Sequence, residues 1–260
     1  MSLANKINGI RGLWQFDNRW QLILARLFSS NEKLSCYRYR GLEIVADRIA
    51  GEAHIVTEVL TTSMYKENFR EMNLKSPLNV LDIGSNIGCF PLALRSEDFE
   101  IKKLACIELN PRTFSRLRFN IERNFDSGFE LINGAVCGSE RELEMTLGAG
   151  GAHDNIYENA VNGKTWRLPG YTFDDIYRRT FGEEDVDLCK MDIEGAEFEV
   201  FANPGHESIK KCRNLLIEIH HETETPRDLV RDKLNELGFT EHHGESKTDS
   251  NHYVHYFSRI

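Results

Sequence analysis

Apolar side chains recur every three or four positions through the opening of the chain. In LWQFDNRWQLILARLF, Leu13, Phe16, Trp20, Ile23, Leu24 and Phe28 fall at the spacing of a single helix face. HIVTEVLTTSMYKENFREMNL repeats the pattern and stops before Ser76-Pro77, because proline disfavours helical backbone in the residue ahead of it. Between them, LSCYRYRGLEIVAD alternates apolar and polar positions, the period of a short hairpin. Residues 1–75 are therefore expected to form a mainly helical N-terminal cap, too short to bury a core of its own.

Beyond Pro77 the period changes. NVLDIG is a compact apolar run ending in glycine, as a buried parallel strand does, and CFPLALRSED follows as a helix. LACIEL reads as a second strand and PRTFSRLRFNIERNF as a helix with proline at its start. FELINGAV predicts a third strand, VDLCKMDI a fourth and NLLIEI a fifth. TPRDLVRDKLNELGF is an amphipathic helix closed by Gly238. FTEHHGE and HYVHYFSRI, parted by the polar KTDSN, predict an antiparallel hairpin. Strands alternating with helices specify an α/β fold with a doubly wound, mostly parallel sheet. The span 148–170 opens with Gly148-Ala149-Gly150-Gly151 and reads as a loop, either a cover over the substrate that carries His153 or a bare connection.

Composition narrows the function classes. Hydrophobic residues make up 40% of the 260, enough for a sizeable core, which argues against disorder. A formal net charge of −9 gives no general attraction to phosphate backbones or anionic lipid, so no nucleic-acid or membrane partner is expected. No apolar run approaches the ~20 residues that span a bilayer. The N-terminus turns polar too soon for a signal peptide, so a cytoplasmic location is expected. Cys36, Cys89, Cys106, Cys137, Cys189 and Cys212 share no CxxC spacing and read as small buried hydrophobes in a reducing compartment.

In a doubly wound sheet ligands bind at the carboxyl ends of the strands, and three polar groups fall there. Asp82-Ile83-Gly84-Ser85-Asn86-Ile87-Gly88 follows the first strand. Its glycines let the backbone turn sharply toward a ligand, and the next helix offers free N–H groups. Glu108 ends the second strand, where an acid can accept hydrogen bonds from both hydroxyls of a ribose. A nucleoside-containing cofactor is the leading reading, and a tight turn beside a solvated glutamate is the bland one. A dinucleotide fingerprint needs glycines where this chain has Asn86 and Cys89, so a nicotinamide-dependent oxidoreductase is an alternative only.

At the end of the fourth strand, Lys190 and Asp192 share a face, and Gly195 lets the chain turn within Asp192-Ile193-Glu194-Gly195-Ala196-Glu197. Asp192 either orients a substrate hydroxyl or pairs with Lys190, while Glu197 caps the next helix. At the end of the fifth strand, Glu218 and His220 share a face. A histidine with ordinary titration near ~6.5 could accept a hydroxyl proton, or simply bond to the neighbouring acids. Asp192, Glu194, Glu218 and His220 together have the chemistry to hold a divalent metal, but their spacing does not demand one and no metal is assigned.

The ordered set DIGSNIG, CIELNP, NGAV, YTFDDI and KMDIEGAEFEVF resembles the FkbM family of S-adenosylmethionine-dependent methyltransferases, over residues 56–222. The resemblance implies a class I methyltransferase domain over 76–260, with seven strands, the last antiparallel, and S-adenosylmethionine bound over the first two. On it, Asp82, Gly84, Asn86 and Gly88 surround the methionine end of the cofactor, with Ser85 in place of the usual alanine. Glu108 takes the ribose, Leu109 flanks the adenine, and Asn133 and Ala135 lie near the base. The segment around Asp192 and Glu194 stands beside the transferable methyl. The family's chemistry implies O-methylation of a hydroxyl on a small molecule or glycan, with His220 as base and Asp192 as orienter. Tyr65 either reaches the acceptor from the cap or fills the core. A methyltransferase of protein or nucleic acid is a further alternative, weakened by the acidic charge and by the lack of an NPPY-type motif after the fourth strand.

Overall fold

A computed structural model describes residues 12–28, 33–148, 156–157, 160, 163–220, 228–243 and 254–259. After helical backbone at residues 12–13, the described part of the chain forms α1 (Arg19–Phe28), a hairpin of β1 (Leu34–Tyr39) and β2 (Leu42–Asp47), then α2 (Glu52–Thr61) and α3 (Lys66–Glu71). Strands and helices then alternate through β3 (Leu78–Ile83), α4 (Cys89–Ser96), β4 (Ile101–Glu108), α5 (Pro111–Asn124) and β5 (Phe129–Asn133). Next come β6 (Ala135–Val136), β7 (Arg141–Leu147), β8 (Lys164–Tyr171), α6 (Phe173–Thr180), β9 (Val186–Met191) and α7 (Ala196–Ala202). A 3-10 turn (Glu207–Lys211) leads to β10 (Cys212–Glu218), α8 (Asp228–Glu236), β11 (Thr240–His243) and β12 (Val254–Ser258).

Seven strands form one sheet in the order β11-β12-β10-β9-β3-β4-β5. The five from β10 to β5 are parallel, and β12 runs antiparallel to both its neighbours. This is the expected doubly wound sheet with an antiparallel last strand. Every residue of β3 is buried, as in a strand covered on both faces. Leu78, Val80, Leu104, Leu188 and Leu216 pack with α4, α5 and the cap. Leu81, Ile83, Ala105, Ile107, Met191 and Ile217 pack on the other face with α6, α7 and α8. Alternation along β3, β9 and β10 therefore turns Asp82, Lys190 and Glu218 to the cap side at the strands' carboxyl ends.

The cap shares that core: Phe16, Tyr37, Ile44, Val56, Leu60, Tyr65 and Phe69 lie in one cluster with the sheet. Its hairpin is fastened by side chains of α5. Asn120 accepts from the Val45 amide at 2.7 Å and donates to the Val45 carbonyl at 3.0 Å. Asn124 treats Glu43 in the same way, at 3.0 and 2.8 Å. Two amide side chains thus satisfy backbone groups of β2 that a further strand would otherwise have to pair. Glu52, fully buried, accepts from the Asp47 amide at 2.7 Å and holds Arg116 of α5 in an ion pair.

Several expected elements differ. The expected helix is interrupted: Gly12 and Leu13 are helical, the chain turns through residues 14–18, and α1 begins at Arg19, because the chain is captured by the edge of β1. The Asp17 amide donates to the Arg38 carbonyl at 2.8 Å, and the Asn18 side chain bonds both Cys36 and Arg38. Only part of the expected apolar stripe is then buried, and Trp20, Leu24 and Phe28 face outward. The second helix splits into α2 and α3. Thr62, extended at φ −103°, returns its hydroxyl to the Glu58 carbonyl at 2.5 Å and accepts the Met64 amide at 3.2 Å, a local bond that competes with the helix.

FELINGAV is not one strand. The Gly134 amide bonds the Glu108 carbonyl at 3.1 Å, and a Cβ there would lie 2.7 Å from the Pro169 carbonyl oxygen, so the chain leaves the main sheet at this residue. Beyond it, β6 joins β8 and β7 in a separate three-stranded sheet. The end of the 148–170 span, from Lys164, is therefore strand and not loop. Ala149, Gly150, Gly151 and His153, expected in a loop over the substrate, lie outside the described residues. Helix α6 was also unforeseen. Its signal is the capping box in which the Thr172 hydroxyl accepts from the Asp175 amide and the Asp175 carboxylate from the Thr172 amide.

Glu52→Ala would leave a largely buried guanidinium without its partner, which should cost about 3–5 kcal/mol. The expected readout is a lower urea midpoint at an unchanged slope; a midpoint within error of the parent would mean that Arg116 does not depend on the pair.

Candidate active site

The loop after β3 is built against the ends of two neighbouring strands. The Gly84 and Ser85 amides both donate to the Ile107 carbonyl of β4, at 3.0 and 2.9 Å. On the other side, a Cβ on Gly84 would lie 1.7 Å from the Asp192 carbonyl oxygen, and its φ is +74°. Only glycine fits this contact. Ser85 turns its hydroxyl inward to the Asp82 carbonyl at 2.7 Å, and the Gly88 amide closes the turn on the Ser85 carbonyl at 2.8 Å.

Glu108 faces this loop from the end of β4. Its two oxygens accept from the Asn86 amide at 2.9 Å and the Asn110 amide at 2.8 Å. Asn86 holds the loop at φ +49° and accepts the Ile87 amide on its own Oδ1. Asn133 donates to the Glu108 and Leu109 carbonyls at 2.8 and 2.9 Å, which fixes the turn after β4. Leu109 packs against the cluster of Met145, Leu147 and Leu168, so the small sheet stands on this side of the site. Ala135 is buried at the start of β6. Asp82, Gly84, Ser85, Asn86, Gly88, Glu108, Leu109, Asn133 and Ala135 thus lie on the connected turns after β3, β4 and β5.

Lys190 joins this loop to the second constellation. Its ammonium donates to the Gly84 carbonyl at 2.7 Å and stands 3.4 Å from Asp192 and 3.7 Å from Asp82. Asp82 is fully buried, and neither of its carboxylate oxygens has a hydrogen-bond partner. Burial pushes its carboxyl up to about 6 against the pull of Lys190. Tyr65 sits in the aromatic core against Phe69 and Phe90. Burial drives its hydroxyl above the usual tyrosine range, with Lys190, Asp192 and Glu218 close enough to act on it.

His220 lies among four carboxylates. Its Nδ1 is 3.2 Å from Glu197, and its Nε2 is 3.3 Å from Glu194 and 3.8 Å from both Asp192 and Glu218. Burial opposes the charged ring, but the bonds to Glu194 and Glu197 and the charges of Glu197 and Asp192 outweigh it and push it up to about 11. Sequence reasoning expects a neutral His220 that accepts a proton. The four acids instead hold the ring as an imidazolium at neutral pH, a form that donates. Burial and the Asp192 charge push Glu218 up to about 8.

Glu197 is the residue that sequence reasoning underrated. It is fully buried and accepts the Ile193 and Gly195 amides at 3.0 and 2.8 Å, so it braces the turn after Asp192 as well as His220. Its contact with His220 crosses 23 residues of chain, and no local spacing reveals it. Among the described residues, Asp192, Glu197 and His220 bring one donor atom each within 4.8 Å of one another, a grouping a divalent cation could bridge.

A family model described as the Methyltransferase FkbM domain matches residues 82–241. The chain belongs to this FkbM methyltransferase family. The FkbM match begins at Asp82, where the glycine loop starts, and runs past Asp192 and His220 into β11. Methyltransferase sdnD of Sordaria araneosa is 26% identical over 210 residues, 67% of this chain and 80% of that protein. Among solved structures, methyltransferase FkbM from Methylobacillus flagellatus KT matches with a TM-score of 0.54 at 14% identity. That match takes in 98% of this chain, which spans 59% of the other protein's length. M. capricolum TrmK, solved with S-adenosyl-homocysteine, matches more weakly, with a TM-score of 0.45 at 10% identity over 75% of this chain and 68% of that one.

The protonated state of His220 has a measurable consequence. A ring raised from 6.5 to about 11 stabilises the fold fully below 6.5, and that stability is lost as pH rises through 11. Glu218 ionises near 8 with the same sign, so the interval above 8 isolates the histidine. The melting temperature should fall there in the parent, and His220→Gln should flatten that decline. Parallel profiles would show that the ring is not held protonated.

Proposed function

We propose that this FkbM-family protein is an S-adenosylmethionine-dependent O-methyltransferase that acts on a hydroxyl of a small molecule or glycan. The observation that carries the cofactor is the buried carboxylate of Asp82 without a hydrogen-bond partner, beneath a loop whose Gly84 leaves no room for a side chain. A cationic ligand group suits such an acid, and Glu108, at the end of β4 facing the same loop, is a carboxylate of the kind that accepts ribose hydroxyls. Asp82, Asp192, Glu194, Glu197 and Glu218 outnumber Lys190 and His220, so the site favours positive charge. The same acids would repel a dinucleotide's pyrophosphate, which weighs against the oxidoreductase alternative.

When bound, S-adenosylmethionine supplies a methyl group already activated on a sulfonium and leaves as S-adenosyl-homocysteine. The protein's part is to hold the acceptor oxygen in line and to take its proton. Asp192 is the most open carboxylate of the ring around His220, one quarter exposed, and accepts the substrate hydroxyl. The His220 imidazolium holds Asp192 and Glu194 in place. The released proton passes to Asp192, the carboxylate that holds the hydroxyl, since Glu218, pushed up to about 8, is already mostly protonated at neutral pH. An oxygen nucleophile is the class that most needs such a sink, which supports hydroxyl methylation. His153 lies in the span expected to cover the substrate, and Glu194 borders the same opening.

Two measurements test this reading. Glu108→Ala should weaken S-adenosylmethionine binding by about tenfold or more in calorimetry, since each bond to a charged acceptor contributes roughly 1.5–3 kcal/mol. Unchanged affinity in a folded variant would remove the ribose from Glu108. Methyl-labelled cofactor offered to hydroxyl-bearing acceptors should yield an alkali-stable ether, whereas label confined to amines, protein or nucleic acid would overturn the O-methyl assignment. With a working acceptor, Asp192→Asn should cut turnover about 10²–10⁴-fold at nearly unchanged cofactor affinity, whereas Glu218→Gln, which imitates the protonated acid, should be tolerated. If Asp192→Asn lowers only the melting temperature, the acid serves Lys190 alone.

A further inference from the structure

The first turns of α5 and the ends of the β1–β2 hairpin line a cavity of about 450 Å³, bordered by Lys33, Asp47, Arg112, Ser115 and Arg116. Arg112, Ser115 and Arg116 stand three and four residues apart and so share one face of the helix. Lys33 lies just ahead of β1, and Asp47 closes β2. A cavity of this volume falls within the range of small-molecule sites, about 300–1,000 Å³.

Its walls are fixed before any ligand arrives. The Lys33 carbonyl accepts the Arg48 amide at 2.7 Å, which ties the two ends of the hairpin together. Glu52 takes the Asp47 amide at 2.7 Å and also pairs with Arg116, so one buried acid joins the hairpin to α5. Arg112 is held by its Nη1 bond to the Gly148 carbonyl at 3.1 Å, and its amide donates to the Asn110 side chain at 2.9 Å.

The lining is cationic, with Lys33, Arg112 and Arg116 against the single carboxylate of Asp47. Asp47 already accepts the Ile49 and Ala50 amides at 2.8 and 3.1 Å, and Glu52 offsets Arg116. Lys33 and Arg112 have no ion-pair partner among the described residues, although acids outnumber bases across the chain by 41 to 32. Two basic side chains left without an acid in so acidic a protein, on the rim of one concavity, suit an anion supplied from outside. The amino end of the α5 dipole adds positive potential over the same turns.

We propose that this cavity binds a small molecule through a phosphoryl group, with Arg112 and Lys33 as its charged donors and Arg116 as a third contact. A phosphoryl group presents several oxygens at once, which matches cations that arrive from both the helix and the hairpin. The two oxygens of a carboxylate would be satisfied by one guanidinium alone. A nucleic acid would meet the net negative charge of the rest of the chain beyond this one pocket. None of the lining residues belongs to the glycine loop or to the acids around His220, so phosphoryl binding here stands whether or not the methyl acceptor is a hydroxyl.

The test is calorimetric titration of the full chain with glucose 6-phosphate, with glucose and with acetate, at matched ionic strength. Saturable binding is expected for glucose 6-phosphate alone, weakening as salt rises. Lys33→Ala with Arg112→Ala should weaken it by about tenfold or more, because hydrogen bonds to charged groups are the strong ones. Both side chains are exposed, so the melting temperature without ligand and the S-adenosylmethionine affinity should stay at the parent's values. Lys33→Glu repeats the test at one exposed position where the double variant is destabilised. Lys102→Ala with Arg178→Ala removes the same charge from exposed sites elsewhere and should leave binding intact. Absence of saturable binding overturns the proposal, and so does an equal loss in both double variants, which would assign the effect to net charge. Equal binding of acetate, or tighter binding of a single-stranded oligonucleotide than of glucose 6-phosphate, overturns the phosphoryl small molecule as the occupant.

Discussion

Lys190 places one buried ammonium 2.7 Å from the Gly84 carbonyl, 3.4 Å from Asp192 and 3.7 Å from Asp82, and the geometry of the candidate site depends on it. The ends of β3 and β9 carry two acids on the same side of the sheet, in register with each other through the Asp82–Lys190 pairing. Without a cation between them, two buried carboxylates would repel and draw water into the core. With it, the Gly84 loop can lie directly on the turn after Asp192. The glycine loop and the acidic turn are therefore one unit, joined by a contact that tolerates no side chain on Gly84.

The same region carries more negative charge than it neutralises. Lys190 and His220 face five acids, and the shortage is met partly by protons. Asp82 and Glu218 are pushed up to about 6 and about 8, and His220 keeps its second proton. Such a site has a standing preference for a cationic ligand over a neutral one. For a sulfonium donor that becomes a neutral thioether, the preference favours exchange of product for fresh cofactor. It also separates the roles in the acid ring, because the histidine is committed to holding acids while a carboxylate keeps the capacity to take up a proton.

The cap is attached by polar side chains as much as by apolar packing. Asn120, Asn124 and Arg116 of α5 reach the hairpin and Glu52, and the same helix follows the turn that carries Glu108. Tyr65 and Phe69 of the cap then close the aromatic core above the Lys190 side of the sheet. The wall opposite is the small sheet, whose Met145, Leu147 and Leu168 meet Leu109. The cleft is thus bounded by two additions to the sheet, one before it in sequence and one inserted between β5 and β9.

Much of this was legible along the chain. The runs NVLDIG, LACIEL, VDLCKMDI and NLLIEI are apolar on both faces because both are covered, and each ends in a polar group that has nowhere to go but the carboxyl edge of the sheet. The glycine loop, Glu108, Asp192 and His220 could be placed for that reason. Less was visible where a local period competed with a distant bond. The pattern through Leu13–Phe28 is helical throughout, yet Asn18 bonds the edge of β1 and the helix is broken between Leu13 and Arg19. Periodicity reports which side of an element is apolar but not which element covers it, so Leu22 and Ile23 are buried while Trp20 and Phe28 are left outside. The charge state of His220 lay equally beyond the sequence, because it is set by Glu194, Glu197, Asp192 and Glu218 converging from three strand ends and turns. The sequence determined which residues reach the edge of the sheet. Only the tertiary structure decided their protonation and exposure, because both depend on neighbours brought close through space.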